Sequence, residues 1–89
     1  MGQLVGTNTI RSFKLDGAVL IKGQFDKKWI DSLKQGIDAD IQNPSPRFVR
    51  HTKDPEAPGY FEDFWTWDLH EYFKDFVFKS PAAQIAAEL

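Results

Sequence analysis

Apolar residues recur at Trp29, Ile30, Leu33, Ile37 and Ile41, a period of about 3.6 residues that marks one face of a helix. The spacing predicts a helix of about four turns. Asp26 stands where an N-cap is needed, because its carboxylate can accept from the free N–H groups of the first turn. Phe25 and Ile30 take the two staple positions around that cap. Asn43-Pro44-Ser45-Pro46 ends the helix, since proline disfavours helical geometry in the residue before it. Upstream, residues 1–12 read as a mobile start leading into a short amphipathic piece through Ile10, Phe13 and Leu15. Gly17 interrupts that piece. Ala18-Val19-Leu20-Ile21, closed by Gly23, then predicts a strand apolar on both faces, as inside a sheet.

Downstream, Arg47-Phe48-Val49-Arg50-His51-Thr52 reads as a strand with imperfect alternation, and Asp54 to Gly59 as a turn-rich loop. Tyr60 to Trp67 is aromatic and predicted to be extended, with Glu62 and Asp63 facing water. An extended chain would put Trp65 and Trp67 on one side, either in a core or in the wall of a substrate pocket. Asp68 is placed to cap a second helix bearing Leu69, Tyr72, Phe73 and Phe76. Ser80 and Pro81 open a third at the N-cap and first helical positions. That third helix, Ala82 to Leu89, carries no glycine, proline or basic last turn to close it. The expectation is a chain that continues beyond these 89 residues.

Composition sharpens this picture at a few points. Thirteen acidic against eleven basic residues give a formal charge of −2, which lends no support to a nucleic-acid partner. The chain has no cysteine, so disulfides, thiolate metal sites and thiol nucleophiles are excluded. The longest apolar run, Ala18 to Ile21, is far below the roughly 18 residues of a membrane span, and the start lacks the regions of a signal peptide. A soluble, cytoplasmic protein without a membrane partner is expected. Aromatics make up 15% of the chain, and nine of the thirteen fall between Tyr60 and Phe78. Such crowding at one end implies that this segment packs against something outside it.

Candidate chemistry is sparse. His51 and His70 are the only histidines, and neither stands in a His-x-Asp or His-x-Glu motif. They read as partly exposed side chains rather than ligands. Asp38 and Asp40, two apart on a helix, do not face each other and read as a solvated surface. The serines lack a nucleophile-elbow setting, and Gly17 and Gly23 are poorly spaced for a phosphate cradle. Arg47 to Lys53 interleaves cations with an aromatic, which suits an acidic small molecule as well as a nucleic acid.

Two stretches carry a family resemblance. Phe13, Gly17-Ala18-Val19-Leu20-Ile21-Lys22-Gly23 and Phe25, followed by a capped helix, resemble the opening of phytanoyl-CoA dioxygenase-type proteins. Tyr60-Phe61-Glu62-Asp63-Phe64-Trp65-Thr66-Trp67, then Phe76-Val77-Phe78 and Ser80-Pro81-Ala82-Ala83 with Ile85-Ala86, are similar to the next part of bacterial members. The resemblance runs from about Phe13 to Leu89 in matching order. It implies the N-terminal helices and short strands of an α+β double-stranded β-helix, a jelly-roll, cupin-like oxygenase. Members use Fe(II) and 2-oxoglutarate to hydroxylate an unactivated C–H bond of a small organic substrate.

The family's His-x-Asp motif, distal histidine and 2-oxoglutarate-binding basic residue lie downstream of the matched region, so no catalytic, cofactor or metal residue carries over. The chain alone is expected to bind neither Fe(II) nor 2-oxoglutarate and to be inactive, its first partner being the missing C-terminal oxygenase core. Arg47, Trp65 and Trp67 remain as candidate substrate contacts. The alternative is a complete small α+β interaction module that docks a protein through residues 60–78. A degenerate oxygenase kept as a regulator is a third possibility.

Overall fold

The computed structural model describes residues 2–89. In chain order it contains α1 (Thr7–Asp16), α2 (Lys27–Gln42), β1 (Val49–Arg50), β2 (Phe61–Glu62), α3 (Glu71–Lys79) and α4 (Ala82–Glu88). The two strands pair antiparallel, Val49 opposite Glu62 and Arg50 opposite Phe61. The class is α+β, mostly helical with one two-stranded sheet among the described residues. No helix among them is long and apolar enough to cross a membrane.

The central helix forms where the periodicity places it. Asp26 is extended at ψ 172° and its Oδ1 accepts from Trp29 N–H at 3.2 Å. At the other end Asn43, just before Pro44, sends its N–H back to Ala39 O. Replacing Asp26 with alanine removes that acceptor, and urea unfolding is expected to show a loss of about 1 kcal/mol.

Which face α2 buries is a different matter. At about 100° per residue, Trp29, Leu33, Gly36 and Asp40 fall within a narrow stripe. This is the stripe turned inward: Gly36 and Asp40 are buried, and Trp29 and Leu33 are half-buried. Ile30, Ile37 and Ile41 lie on the flank and stay exposed. The helix therefore packs on α3 through a face rotated by roughly 50° from its apolar stripe. Gly36 permits the approach, because a Cβ there would lie 2.7 Å from Phe73 Cε1 and 3.0 Å from Tyr72 Cβ. Phe76 seals the upper end, with its ring 5.3 Å from that of Phe25 and edge-on to Trp29 at 6.0 Å.

Of residues 1–12, residue 1 lies outside the described residues, residues 2–6 run without regular structure against α4, and residues 7–12 belong to α1. Glu88 Oε1 accepts from Leu4 N–H at 2.8 Å and from Val5 N–H at 2.7 Å, and Gln84 Nε2 donates to Gly2 O. Val5, 1% exposed, is the one fully buried apolar residue among those described. Its amide, then Gln84 and Leu4, hold the Glu88 carboxyl below its ordinary value against a smaller opposing effect of burial. A depressed carboxyl gives stability that is present above its unfolded value of 4.5 and is lost as pH falls through the folded value. The strap of residues 2–6 is thus expected to detach from α4 in acid. Glu88→Ala should produce the same release at neutral pH, read as faster amide exchange at Leu4 and Val5.

Four expected elements differ. Ala18 to Ile21 forms no strand: the chain has no regular structure between left-handed Gly17 (φ 79°) and Gly23 (φ 73°), with Leu20 exposed. A strand apolar on both faces needs neighbours at both edges, and the described sheet supplies none there. Tyr60 to Trp67 is not one extended run, since Trp65 turns at φ 52° and residues 67–69 form a turn closed by Leu69 N–H to Thr66 O. The second helix starts at Glu71 with His70, not Asp68, at its cap position. The third starts at Ala82 with Pro81, not Ser80, at its cap position, and Ser80 Oγ accepts from Ala82 N–H at 3.2 Å one residue ahead of that cap.

These pieces make an open layer. The radius of gyration is 16.5 Å, with extents of 47 × 27 × 22 Å, against about 12 Å for a compact domain of this length.

Candidate functional site

The polar centre of the molecule lies where α2, the end of β2 and the start of α3 meet. A cleft of about 170 Å3 opens there, lined by Ile37 and Asp40 of α2, Phe61 and Glu62 of β2, then Asp63, Thr66 and Phe73. Asp40 is carried inward by the same turn of α2 that buries Gly36, four residues before it. His70 Nε2 lies 3.1 Å from Asp40 Oδ1, with only 12% and 9% of the two side chains exposed. On the other side Asp40 faces the cleft that Asp63 also lines.

Asp63 is held in turn by the loop after α2. Its Oδ2 accepts from Ser45 N–H at 2.9 Å, and its Oδ1 accepts from Ser45 Oγ and from Phe64 N–H. Ser45 is buried and caps its own turn, with Arg47 N–H donating to its Oγ at 3.0 Å. The two carboxyls are driven apart. Burial raises Asp40, the bond and charge of Asp63 raise it further, and His70 opposes. Burial pushes Asp63 up as well, but the bonds from Ser45, Asp40 and Phe64 outweigh it and bring the group down to about 2. Asp40 therefore holds its proton to higher pH than Asp63 does.

The expected substrate contacts lie elsewhere. Arg47 donates from Nε to Phe64 O at 2.9 Å and from Nη2 to Trp65 O at 3.3 Å, with its guanidinium 5.5 Å from the centre of the Trp65 ring. These bonds and the Asp63–Phe64 contact impose the turn that leaves Trp65 76% exposed. Trp67 instead meets Phe78 edge-on at 5.8 Å. Arg47 and Trp65 are thus together, Trp67 has a different neighbour, and none of the three lines the Asp40–Asp63 cleft.

The histidines and aspartates also correct the sequence reading. Asp40 is buried rather than solvated, because it shares the inward stripe with Trp29, Leu33 and Gly36. His70 is mostly enclosed, whereas His51 is exposed and pairs with Glu62 Oε1 at 2.9 Å. No group of three His, Cys, Asp or Glu side chains converges among the described residues. The donor set of this chain therefore does not fit the three-ligand face that iron requires. Asp40, Asp63, His70 and Ser45 were missed as a unit. The available signal was the Trp29–Leu33–Gly36–Asp40 spacing, in which a glycine marks close approach and the aspartate follows one turn later.

Comparison with protein-family models, with curated proteins and with solved structures finds no match to this chain.

Proposed function

We propose that this chain is the N-terminal outer layer of a larger protein, a non-haem Fe(II)- and 2-oxoglutarate-dependent dioxygenase resembling the phytanoyl-CoA dioxygenase family. The observation that carries the layer reading is the unused apolar face of α2. Ile30, Ile37 and Ile41 stay exposed although the helix has already packed on α3 through its neighbouring stripe. A helix with two packing faces belongs between two partners. The exposed aromatics Phe64, Trp67 and Phe78 extend the apolar surface. The sequence resemblance supplies the identity of the second partner, a jelly-roll core that would bring the iron ligands and the 2-oxoglutarate-binding residue. In this reading Fe(II) and 2-oxoglutarate supply the oxidising chemistry, in the cytoplasm, on a small organic substrate. This chain supports the core and excludes water from it.

The test compares residues 1–89 with the product of the whole open reading frame that contains them. The longer product is expected to convert 2-oxoglutarate to succinate and CO2 with added Fe(II), and residues 1–89 to show neither turnover nor tight iron binding. A longer product without 2-oxoglutarate turnover sinks the oxygenase reading. A reading frame that encodes only these residues favours the second reading, a protein-docking module. The exposure of Tyr60, Trp65 and Phe78 within or beside its aromatic segment favours that alternative.

A further inference from the structure

We propose that Trp65 and Arg47 form a binding site for a small aromatic carboxylate, its ring laid against the exposed indole and its carboxylate on the guanidinium. The site stands on the turn after β2 and is independent of the oxygenase reading. Trp65 takes a left-handed φ of 52°, a conformation that is costly for a bulky side chain and that glycine or asparagine adopts more readily. Nothing in the turn requires tryptophan there. The bonds that impose the turn run to backbone atoms: Arg47 Nε to Phe64 O at 2.9 Å, Arg47 Nη2 to Trp65 O at 3.3 Å, and Phe64 N–H to Asp63 Oδ1 at 2.9 Å. Asparagine at position 65 would offer the same carbonyl. The indole is therefore surplus to the turn, and it stands 76% exposed. Strained residues fixed by their surroundings in this way gather at active sites and ligand clamps.

The ligand class follows from what stands beside the ring. The Arg47 guanidinium lies 5.5 Å from the ring centre. Its Nε and Nη2 are engaged by the two carbonyls, while Nη1 bonds to none of the described residues. Arg47 also forms no ion pair among them, unlike Lys27, Lys79 and His70. The acidic residues of the same segment are turned elsewhere, Asp63 to Ser45 and Phe64, and Glu62 to His51. An unpaired cation thus borders a flat apolar face. A guanidinium fork matches a carboxylate with two parallel bonds, and here the carbonyls hold it in place before a ligand arrives, so little freedom is lost on binding. An indole takes an aryl ring in an offset stack. A ligand carrying both groups uses both features, whereas a simple carboxylate uses only the cation and a neutral arene only the ring. A nucleic acid also offers a stacking ring and an anion, but a chain of net charge −2 is poorly suited to a polymer of phosphates. Trp67 takes no part, because it meets Phe78 instead.

The experiment titrates the whole chain with phenylacetate and follows the Trp65 indole N–H and the Arg47 Nε–H by NMR. Both signals are expected to move together and to saturate, with acetate and benzyl alcohol each binding about tenfold more weakly or worse. Trp65→Asn relieves the left-handed conformation and keeps the turn. Its Tm is expected to be no lower than that of the wild type, while phenylacetate binding falls by about tenfold or more. No saturation within the solubility of phenylacetate overturns the proposal. So does benzyl alcohol or acetate binding as tightly as phenylacetate, or a single-stranded oligothymidylate binding in preference to it. A Trp65→Asn chain that binds phenylacetate like the wild type also overturns it, as does one that melts below the wild type, which would show the indole serving the fold.

Discussion

Replacing Gly36 with valine is expected to separate α3 from α2. The added Cβ would lie 2.7 Å from Phe73 Cε1 and 3.0 Å from Tyr72 Cβ, both inside ordinary contact distance. Rotation of the Phe73 ring relieves the first overlap, but the second involves an atom bonded directly to the α3 backbone, so the helix itself has to move. Gly36→Ala tests the balance, because alanine gains up to about 1 kcal/mol of helix propensity against an overpacking cost of about 1–3 kcal/mol. Valine loses most of that propensity gain and adds two methyl groups to the overlap, for a net loss of about 3 kcal/mol. In a domain of this length such a loss lowers Tm by roughly 12–20 °C. The same movement pulls His70, at the head of α3, away from Asp40. Thermal unfolding checks the first consequence and the His70 ring resonances the second. A Gly36→Val chain that melts like the wild type would show that α2 and α3 do not meet at this point.

The elements of this fold were legible wherever a local rule decides them. Asp26 caps α2 because capping involves only the next turn, and Pro44 ends α2 for an equally local reason. What escaped was set by pairing. Ala18 to Ile21 has the composition of a strand, yet a strand exists only with a neighbour, and the described sheet joins β1 to β2 alone. Asp68 is a good cap by type, but the bond between His70 and Asp40, thirty residues apart, accompanies a helix that starts later. The candidate site was hidden for the same reason. Asp40 and Asp63 look like surface carboxylates until α2 turns its glycine face inward, and counting apolar residues pointed to the isoleucine face instead. Trp65 was expected in a strand because aromatics favour strands. Its positive φ comes from Arg47 and Asp63, which grip the flanking backbone.

Phe76 and Phe78 lie two residues apart on α3, and their alanine variants are expected to behave in opposite ways. Phe76 is half-buried between Phe25 and Trp29 and joins α3 to the segment before α2 and to α2 itself. Its truncation removes two aromatic contacts and opens a gap, for a loss of about 2–4 kcal/mol. An open layer with little fully enclosed apolar surface has small reserves, so Phe76→Ala should abolish cooperative unfolding of the chain. Phe78 is 66% exposed and touches Trp67 edge-on, so its truncation should cost this chain less than about 1 kcal/mol. Within the larger protein proposed above, the second variant changes character. There the Phe78 ring is covered by the core, and Phe78→Ala should lower the stability of the whole by about 3 kcal/mol. Melting both variants in both contexts therefore reads two things at once. Phe76→Ala reports on the packing within the layer, and the difference between contexts for Phe78→Ala reports on what covers its outer face. If Phe78→Ala is equally mild in both contexts, this part of α3 is not a docking face, and the covered surface reduces to the isoleucines of α2.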